Sequence, residues 1–272
     1  MVRLGNCAAT GVLSGHGLNR RCRKIGNLPA AAELDGLVVV LVRPRNPLNI
    51  GAAARAMSNF GVRRLRLVNP YAVAFREARS AVGASAVLKA AEEFKTVAEA
   101  VADCSLIVGT TAVRNRALQH PLKRLNEGVA EAIRKQLSSS RVAVLFGSEK
   151  IGLTNDDFSH CHWLVNIPTV EGHISMNLGQ AVAVCLYELA RLSSASIQGS
   201  EKIETATAGQ LEQISSGLLD ALHASGYVKP GNDAVAEKKV RRLMLRLNLQ
   251  SMDAKVFLGM LRQIVWKLRQ KS

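Results

Sequence analysis

Five short apolar runs punctuate the chain at intervals too wide for hairpins. The first, Leu37 to Val42, is six consecutive Leu and Val residues. A continuous run of this length, rich in Val, predicts a strand buried on both faces, as in a parallel sheet. Leu65 to Val68, Ser105 to Gly109, Val142 to Phe146 and Trp163 to Ile167 repeat the pattern. Helical periodicity fills the gaps. Ala52 to Phe60 is rich in Ala, with Asn49 available as a cap and Gly61 as a stop. Thr96 to Ala102, Leu125 to Leu137 and the long apolar stretch Leu178 to Leu192 follow the same logic. Alternating strand and helix predicts an α/β domain with a mainly parallel sheet over residues 34–192.

The pattern then changes twice. Residues 193–209 lose periodicity, gain small polar residues and read as a linker. Residues 210–272 are helical throughout. Leu211, Ile214, Leu218, Leu219 and Leu222 share one face, then Val240, Leu243, Met244 and Leu247, then Phe257, Leu261, Ile264, Val265 and Leu268. A small all-helical C-terminal domain is expected. Residues 1–33 show no periodic face and no apolar signal core, so they read as a flexible basic extension.

Charge sharpens the picture. The 272 residues carry a net charge of +15. Residues 1–32 hold five basic side chains and no acid, and residues 229–272 hold eleven basic and three acidic. A near-neutral body with basic ends points to a polyanionic partner, RNA or DNA first. Aromatics are only 4% of the chain, which argues against a base-stacking platform. No apolar stretch is long enough to span a membrane. The five cysteines are widely spaced, which suits a reducing, cytoplasmic compartment. His160-Cys161-His162 lacks a second cluster at metal-ligand spacing, so no metal site is expected.

Ligands of parallel α/β proteins collect at the carboxyl ends of strands. The segments there match neither a dinucleotide fingerprint nor a phosphate-binding loop. After the fourth run comes FGSEKIGL (146–153), whose Gly147 and Gly152 allow a close backbone approach and flank Glu149. After the fifth comes SMNLGQA (175–181), in which Ser175 or Asn177 could cap the following helix. Together with NIGAAARAM (49–57) and LVNP (67–70), these segments form three ordered motifs that resemble those of the SpoU/TrmH-type SPOUT RNA 2′-O-ribose methyltransferases. The resemblance covers about residues 36–192. CSLIVGT (104–110), GLTN (152–155) and the basic helical tail look most like the TrmJ branch, which methylates the ribose at position 32 of the tRNA anticodon loop.

The resemblance implies a deep C-terminal trefoil knot, S-adenosylmethionine as cofactor, tRNA as partner and a homodimer with its active site at the subunit interface. The apolar circumference of 178–192 is consistent with a dimer surface. By the same resemblance the cofactor loops are Thr110, Thr111 and Ala112, the loop at Gly147 and Gly152, Ile167, and Ile174, Ser175 and Met176. The catalytic set is Arg55, Asn49, Ser175, Asn177 and Glu149. Arginine stays protonated, and bringing it to neutrality at pH 7 would cost roughly 7 kcal/mol. Arg55 is therefore read as a charged group that binds a phosphate and stabilises a developing alkoxide, not as a base. Arg43, Arg45, Arg114, Arg116, Lys239, Arg242 and Arg246 are candidate phosphate contacts. The alternatives are an rRNA ribose methyltransferase of the same fold, or an RNA-binding protein that keeps the fold without catalysis.

Overall fold

Leu37, Val39 and Leu41 face one side of a sheet while Val38, Val40 and Val42 face the other, and all six are fully buried. A computed structural model describes residues 34–80, 86–112, 119–170, 175–191, 204–229 and 231–270. The basic extension, Arg114, Arg116, Ile174 and most of the expected linker lie outside these residues. Among the described residues seven strands form one sheet: β1 (Leu37–Val42), β2 (Arg64–Val68), β3 (Glu92–Phe94), β4 (Leu106–Thr110), β5 (Leu122–Arg124), β6 (Val142–Phe146) and β7 (Trp163–Asn166). Their order is β3-β2-β1-β6-β4-β7-β5 and every pairing is parallel. The expected runs are β1, β2, β4, β6 and β7. The other two, β3 and β5, are three-residue edge strands of sequence EEF and LKR. They carry no apolar run because an edge strand needs only a backbone partner.

Helices cover both faces. On one lie α1 (Pro47–Asn59), α2 (Ala72–Ser80), α3 (Ala86–Lys89), α5 (Glu127–Leu137) and α7 (Leu178–Arg191). On the other lie α4 (Val97–Val101) and the short α6 (Asn155–Phe158). Helix α1 starts earlier than the Ala-rich pattern suggested. Asn46, not Asn49, is the cap: its side chain accepts from the Leu48 amide at 2.9 Å, and Pro47 takes the first helical position. Asn49 lies inside the helix, its side chain released for other work. Helix α7 presses on α1 where Gly179 meets Ala52; a Cβ at Gly179 would sit 2.6 Å from the Ala52 Cβ.

Three further helices, α8 (Ala208–Ala224), α9 (Asp233–Arg246) and α10 (Ser251–Arg269), share a small core of Leu211, Ile214, Val240, Met244, Leu245, Ala254 and Leu261. Leu243, Leu247 and Ile264, placed on apolar faces by periodicity, are exposed. The end of the expected linker is a seam. The amides of Ala208 and Gly209 donate to the carbonyls of Cys104 and Ala102, each at 2.8 Å, and Thr207 caps α8 in a capping box. Small polar residues there serve close approach and capping: a Cβ on Gly209 would lie 2.9 Å from the Ala102 oxygen.

Candidate functional site

The carboxyl ends of β4, β6 and β7 open into one cavity of about 320 Å³. Thr110, Thr111 and Ala112 enter from the end of β4, Gly147, Glu149 and Gly152 from the loop after β6, Ile167 from the end of β7, and Ser175 and Met176 from the approach to α7. Phe146, Leu153, Phe158 and Leu178 add apolar wall. Every expected cofactor residue that is described lines this cavity.

The two glycines shape the loop itself. A Cβ on Gly147 would lie 2.0 Å from the Gly152 carbonyl carbon, and Gly152 has φ +68°. The Gly152 amide donates to the Ser148 carbonyl at 2.8 Å, closing a tight ring with Glu149 at its rim. The sequence suggested that these glycines leave room for a ligand. Gly147 leaves room first for its own loop.

A polar chain runs along the rim. The Glu149 carboxylate accepts from the amides of Arg45 (3.2 Å) and Asn46 (3.3 Å) and from Asn49 Nδ2 (2.9 Å). Asn49 Oδ1 accepts from Asn177 Nδ2 at 2.8 Å. Asn177 Oδ1 accepts from the Gly179 amide at 2.9 Å and the Gln180 amide at 3.4 Å, capping α7. Helix capping and site building are thus one job for Asn177. Burial pushes the Glu149 carboxyl up, but the donors from Asn49, its own backbone, Arg45 and Asn46 outweigh it, and the net shift is downward. A carboxylate so stabilised is a weak base and a firm anchor.

Glu149 and Ser175 line the cavity; Asn49, Asn177 and Arg55 do not, Asn49 and Asn177 being joined to it through Glu149. Arg55 lies six residues after Asn49 on α1, roughly 240° further around the helix. Its stripe, with Leu48 and Ala52, is exposed to solvent. Within α1, Arg55 and Asn49 thus point to different sides.

The expected phosphate contacts divide. Arg45, Lys239 and Arg246 are exposed. Arg242 is half-buried, its Nε donating to the Lys238 carbonyl at 3.2 Å. Arg43 requires correction. Its guanidinium grips Asp157, with Nη1 to Oδ1 at 3.0 Å, and the Asp157 side chain is 3% exposed. Asp157 also accepts from the Thr154 amide and hydroxyl. Burial raises its pKa, the bonds from Arg43 and Thr154 lower it further, and the net shift is downward. Arg43 is therefore an internal cross-link. The sequence signal for Asp157 was the capping box Thr154-x-x-Asp157, which opens α6. Arg241, one of the basic tail residues, is likewise buried between Glu212 and Glu237. His162 Nδ1 accepts from the Ile107 amide at 3.1 Å, and burial takes its imidazole down to about 4. The Cys161 thiol is buried and pushed up.

Known proteins resemble this chain along most of its length. The model of the SpoU rRNA Methylase family matches residues 36–187. The tRNA (cytidine/uridine-2′-O-)-methyltransferase TrmJ of Cronobacter sakazakii is 35% identical over 238 residues, covering 85% of this chain and 96% of its own length. The enzyme of the same name from Klebsiella pneumoniae is 35% identical over 239 residues, covering 85% and 97%. The crystal structure of TrmJ from Z. mobilis ZM4 superposes with a TM-score of 0.71 at 34% identity, covering 84% of this chain and 98% of that one.

Proposed function

Because the chain belongs to the SpoU methylase family, we propose that it transfers a methyl group from S-adenosylmethionine to a ribose 2′-hydroxyl of tRNA, at cytidine or uridine 32 of the anticodon loop. The relatives named for tRNA cytidine and uridine align along 85% of the chain, beyond the sheet and into the helical tail. The observation that carries the reading is the Glu149–Asn49–Asn177 chain on the rim of the cavity.

The cavity fits the cofactor. It pairs apolar walls from Phe146, Ile167 and Leu178 with polar loop ends at Thr110 and Ser175, as an adenosine bearing an amino acid requires. Thr110 Oγ1 donates to the Leu145 carbonyl at 2.8 Å and ties the floor to β6. When bound, S-adenosylmethionine supplies an electrophilic methyl carbon. Thr110, Thr111, Ala112, Gly147, Gly152, Ile167, Ile174, Ser175 and Met176 hold it. Glu149 stays ionised and fixes the amide of Asn49, which keeps one Nδ2 hydrogen and one Oδ1 lone pair for a ligand. Asn49, Asn177 and Ser175 position the ribose, which supplies much of the rate in a displacement of this kind.

A charged Arg55 binds a phosphate beside the target and stabilises the alkoxide as the proton leaves late, to solvent or through that phosphate. Its place on the exposed stripe of α1, roughly 240° round from Asn49, supports a homodimer in which Arg55 serves the partner's cavity. Leu48, 78% exposed on α1, and Tyr187, 55% exposed on α7, supply apolar surface on these two helices. The same reading puts a trefoil knot between β6 and α7, treats α8–α10 as an RNA-binding domain with Lys239, Arg242 and Arg246 on its surface, and assigns the enzyme to the cytoplasm. Cys104, Cys161 and Cys185, all buried free thiols, support a reducing compartment. No helix of the described residues is long and apolar enough to cross a membrane.

The test is methyl transfer to a tRNA transcript, with modified nucleosides mapped by mass spectrometry and rRNA as a parallel substrate. Methylation confined to nucleotide 32 is expected. Methylation of rRNA alone, or cofactor binding without transfer, would overturn the reading. So would an Arg55→Lys enzyme with full turnover, for the role of the guanidinium.

A further inference from the structure

A second cavity, of about 270 Å³, opens where α9 approaches the sheet domain. Its walls are Gln119 and His120 before β5, Asn155 and Phe158 of α6, and Lys238 and Arg242 of α9. Both cations come from α9, and the polar groups facing them come from the other side. Phe158 also lines the first cavity, so one aromatic ring is wall to both.

The α9 side of this second cavity presents positive charge from Lys238 and Arg242. Burial and the charges of Arg242 and Arg246 hold the His120 imidazole below its usual range. Among the described residues His120 Nε2 is buried without a hydrogen-bond partner. Among the described residues the terminal nitrogens of Arg242 have no hydrogen-bond partner either, its Nε donating to the Lys238 carbonyl. Lys238 Nζ reaches Asp156 at 3.1 Å, an exposed carboxylate on the rim. That contact is a surface ion pair, which an incoming anion can replace at little loss.

We propose that this cavity receives a backbone phosphate of the substrate RNA close to the target nucleotide, held by Lys238 and Arg242. The proposal rests on the reading of the chain as an RNA methyltransferase. The shared Phe158 wall places the phosphate one ring away from the cofactor cavity. A phosphate there gives the α9 cations an anion between them. It also couples the helical tail to the catalytic cavity through the RNA itself. Phosphate contacts fix register and orientation, so the site would set which nucleotide reaches the cofactor.

The experiment uses the full chain and tRNA transcripts in which single phosphates near the target are replaced by neutral methylphosphonates. Methyl transfer to unmodified tRNA by the unaltered enzyme is measured first. Its absence from every RNA tried would sink the functional reading, whereas the binding comparison below addresses the cavity alone. One linkage is expected to weaken binding by the unaltered enzyme about tenfold, the effect of one charge-assisted contact. Arg242→Gln should bind unmodified tRNA about tenfold more weakly and be indifferent to that linkage. Lys238→Gln provides the same comparison should Arg242→Gln not fold, as judged by its melting curve. The log–log salt slope should fall by about one in each variant. Equal weakening of the variants and the unaltered enzyme by every methylphosphonate would overturn the proposal, as would unchanged tRNA affinity in both variants.

Discussion

Arg43 and Asp157 are 114 residues apart in sequence and form a two-pronged ion pair in which the carboxylate is almost wholly enclosed. The pair fastens the β1–α1 connection to the segment after β6. Arg43 itself sits at φ +52°, an unusual conformation for a residue with a side chain. Two residues on, the Arg45 and Asn46 amides meet Glu149. The pair therefore holds together the two loops that build the polar chain. Replacing Arg43 by Met leaves a buried carboxylate without its cation and should cost about 3 kcal/mol in urea unfolding. A loss below about 1 kcal/mol would show that the pair is dispensable.

The same pair sets an acid limit. Asp157 and Asp103 both have carboxyl pKa values below the usual range, Asp157 by the bonds from Arg43 and Thr154 that overcome its burial, Asp103 chiefly by its bond to Arg66. A lowered folded-state pKa means stability that is complete above the unfolded value, about 4, and lost as pH falls through the folded value. The unfolding free energy should therefore be nearly level from pH 7 to 5 and drop below pH 4. In Arg43→Met part of that acid slope should vanish. A wild-type slope in the variant would contradict the assignment.

Asn177 allows capping and site building to be separated. Asn177→Asp keeps an oxygen for the Gly179 amide but turns an acceptor toward Asn49 Oδ1, where a donor is needed. Its melting temperature should stay within a few degrees of the unaltered enzyme, while single-turnover methylation falls at least 100-fold. Asn177→Ala should lose the turnover and also about 1 kcal/mol of stability, as cap removal does. Equal turnover in the Asp variant and the unaltered enzyme would remove Asn177 from the active machinery.

The placement of Arg55 is open to complementation. Arg55→Ala and Asn177→Ala should each be inactive alone. Mixed after co-refolding, they form dimers in which one cavity has an intact Asn177 and receives an intact Arg55 from its partner. Random pairing makes half the dimers mixed, with one working cavity of two, so about a quarter of full activity should return. If Arg55 serves its own chain, no activity returns.

The helical tail needs gentler surgery than deletion. Removing residues from 204 onward strips Ala208 from the face of α4 and takes away the seam at Ala102 and Cys104. Such a deletion should destabilise the sheet domain as well as weaken tRNA binding. Triple replacement of Lys239, Arg242 and Arg246 by Ala spares the seam. It should shallow the salt slope of tRNA binding by about one to two, with cofactor affinity unchanged. An undiminished slope would make the basic face of α9 irrelevant to RNA.

Burial decided what could be read from the sequence. Central strands such as β1 were legible because both faces are apolar. The edges β3 and β5 were not, since Glu92 and Lys123 carry no burial signal. The start of α1 was obscured by two asparagines three apart, of which the wrong one looked like the cap. Arg43 looked like a solvated loop charge because its partner lies far along the chain. The residues lining the first cavity were reachable only through motif resemblance, not through periodicity. The separation of Arg55 from Asn49 was within reach: at about 100° per residue, six positions cannot bring two side chains to one face.

The polar rim also fixes when this protein can first become an enzyme. Asn49 and Asn177 stand 128 residues apart, and β1 pairs with β6, whose residues follow it by about a hundred. At about 5–20 residues per second of synthesis, Asn49 waits roughly 6–26 s for its partner to be made. Until β6 is made, the Leu37–Val42 strand, apolar on both sides, has β2 as its one strand neighbour. A nascent chain is thus exposed to aggregation for longer than a protein built from local hairpins would be. Fragments ending before α7 would carry the basic loops and the floor of the first cavity but no assembled rim.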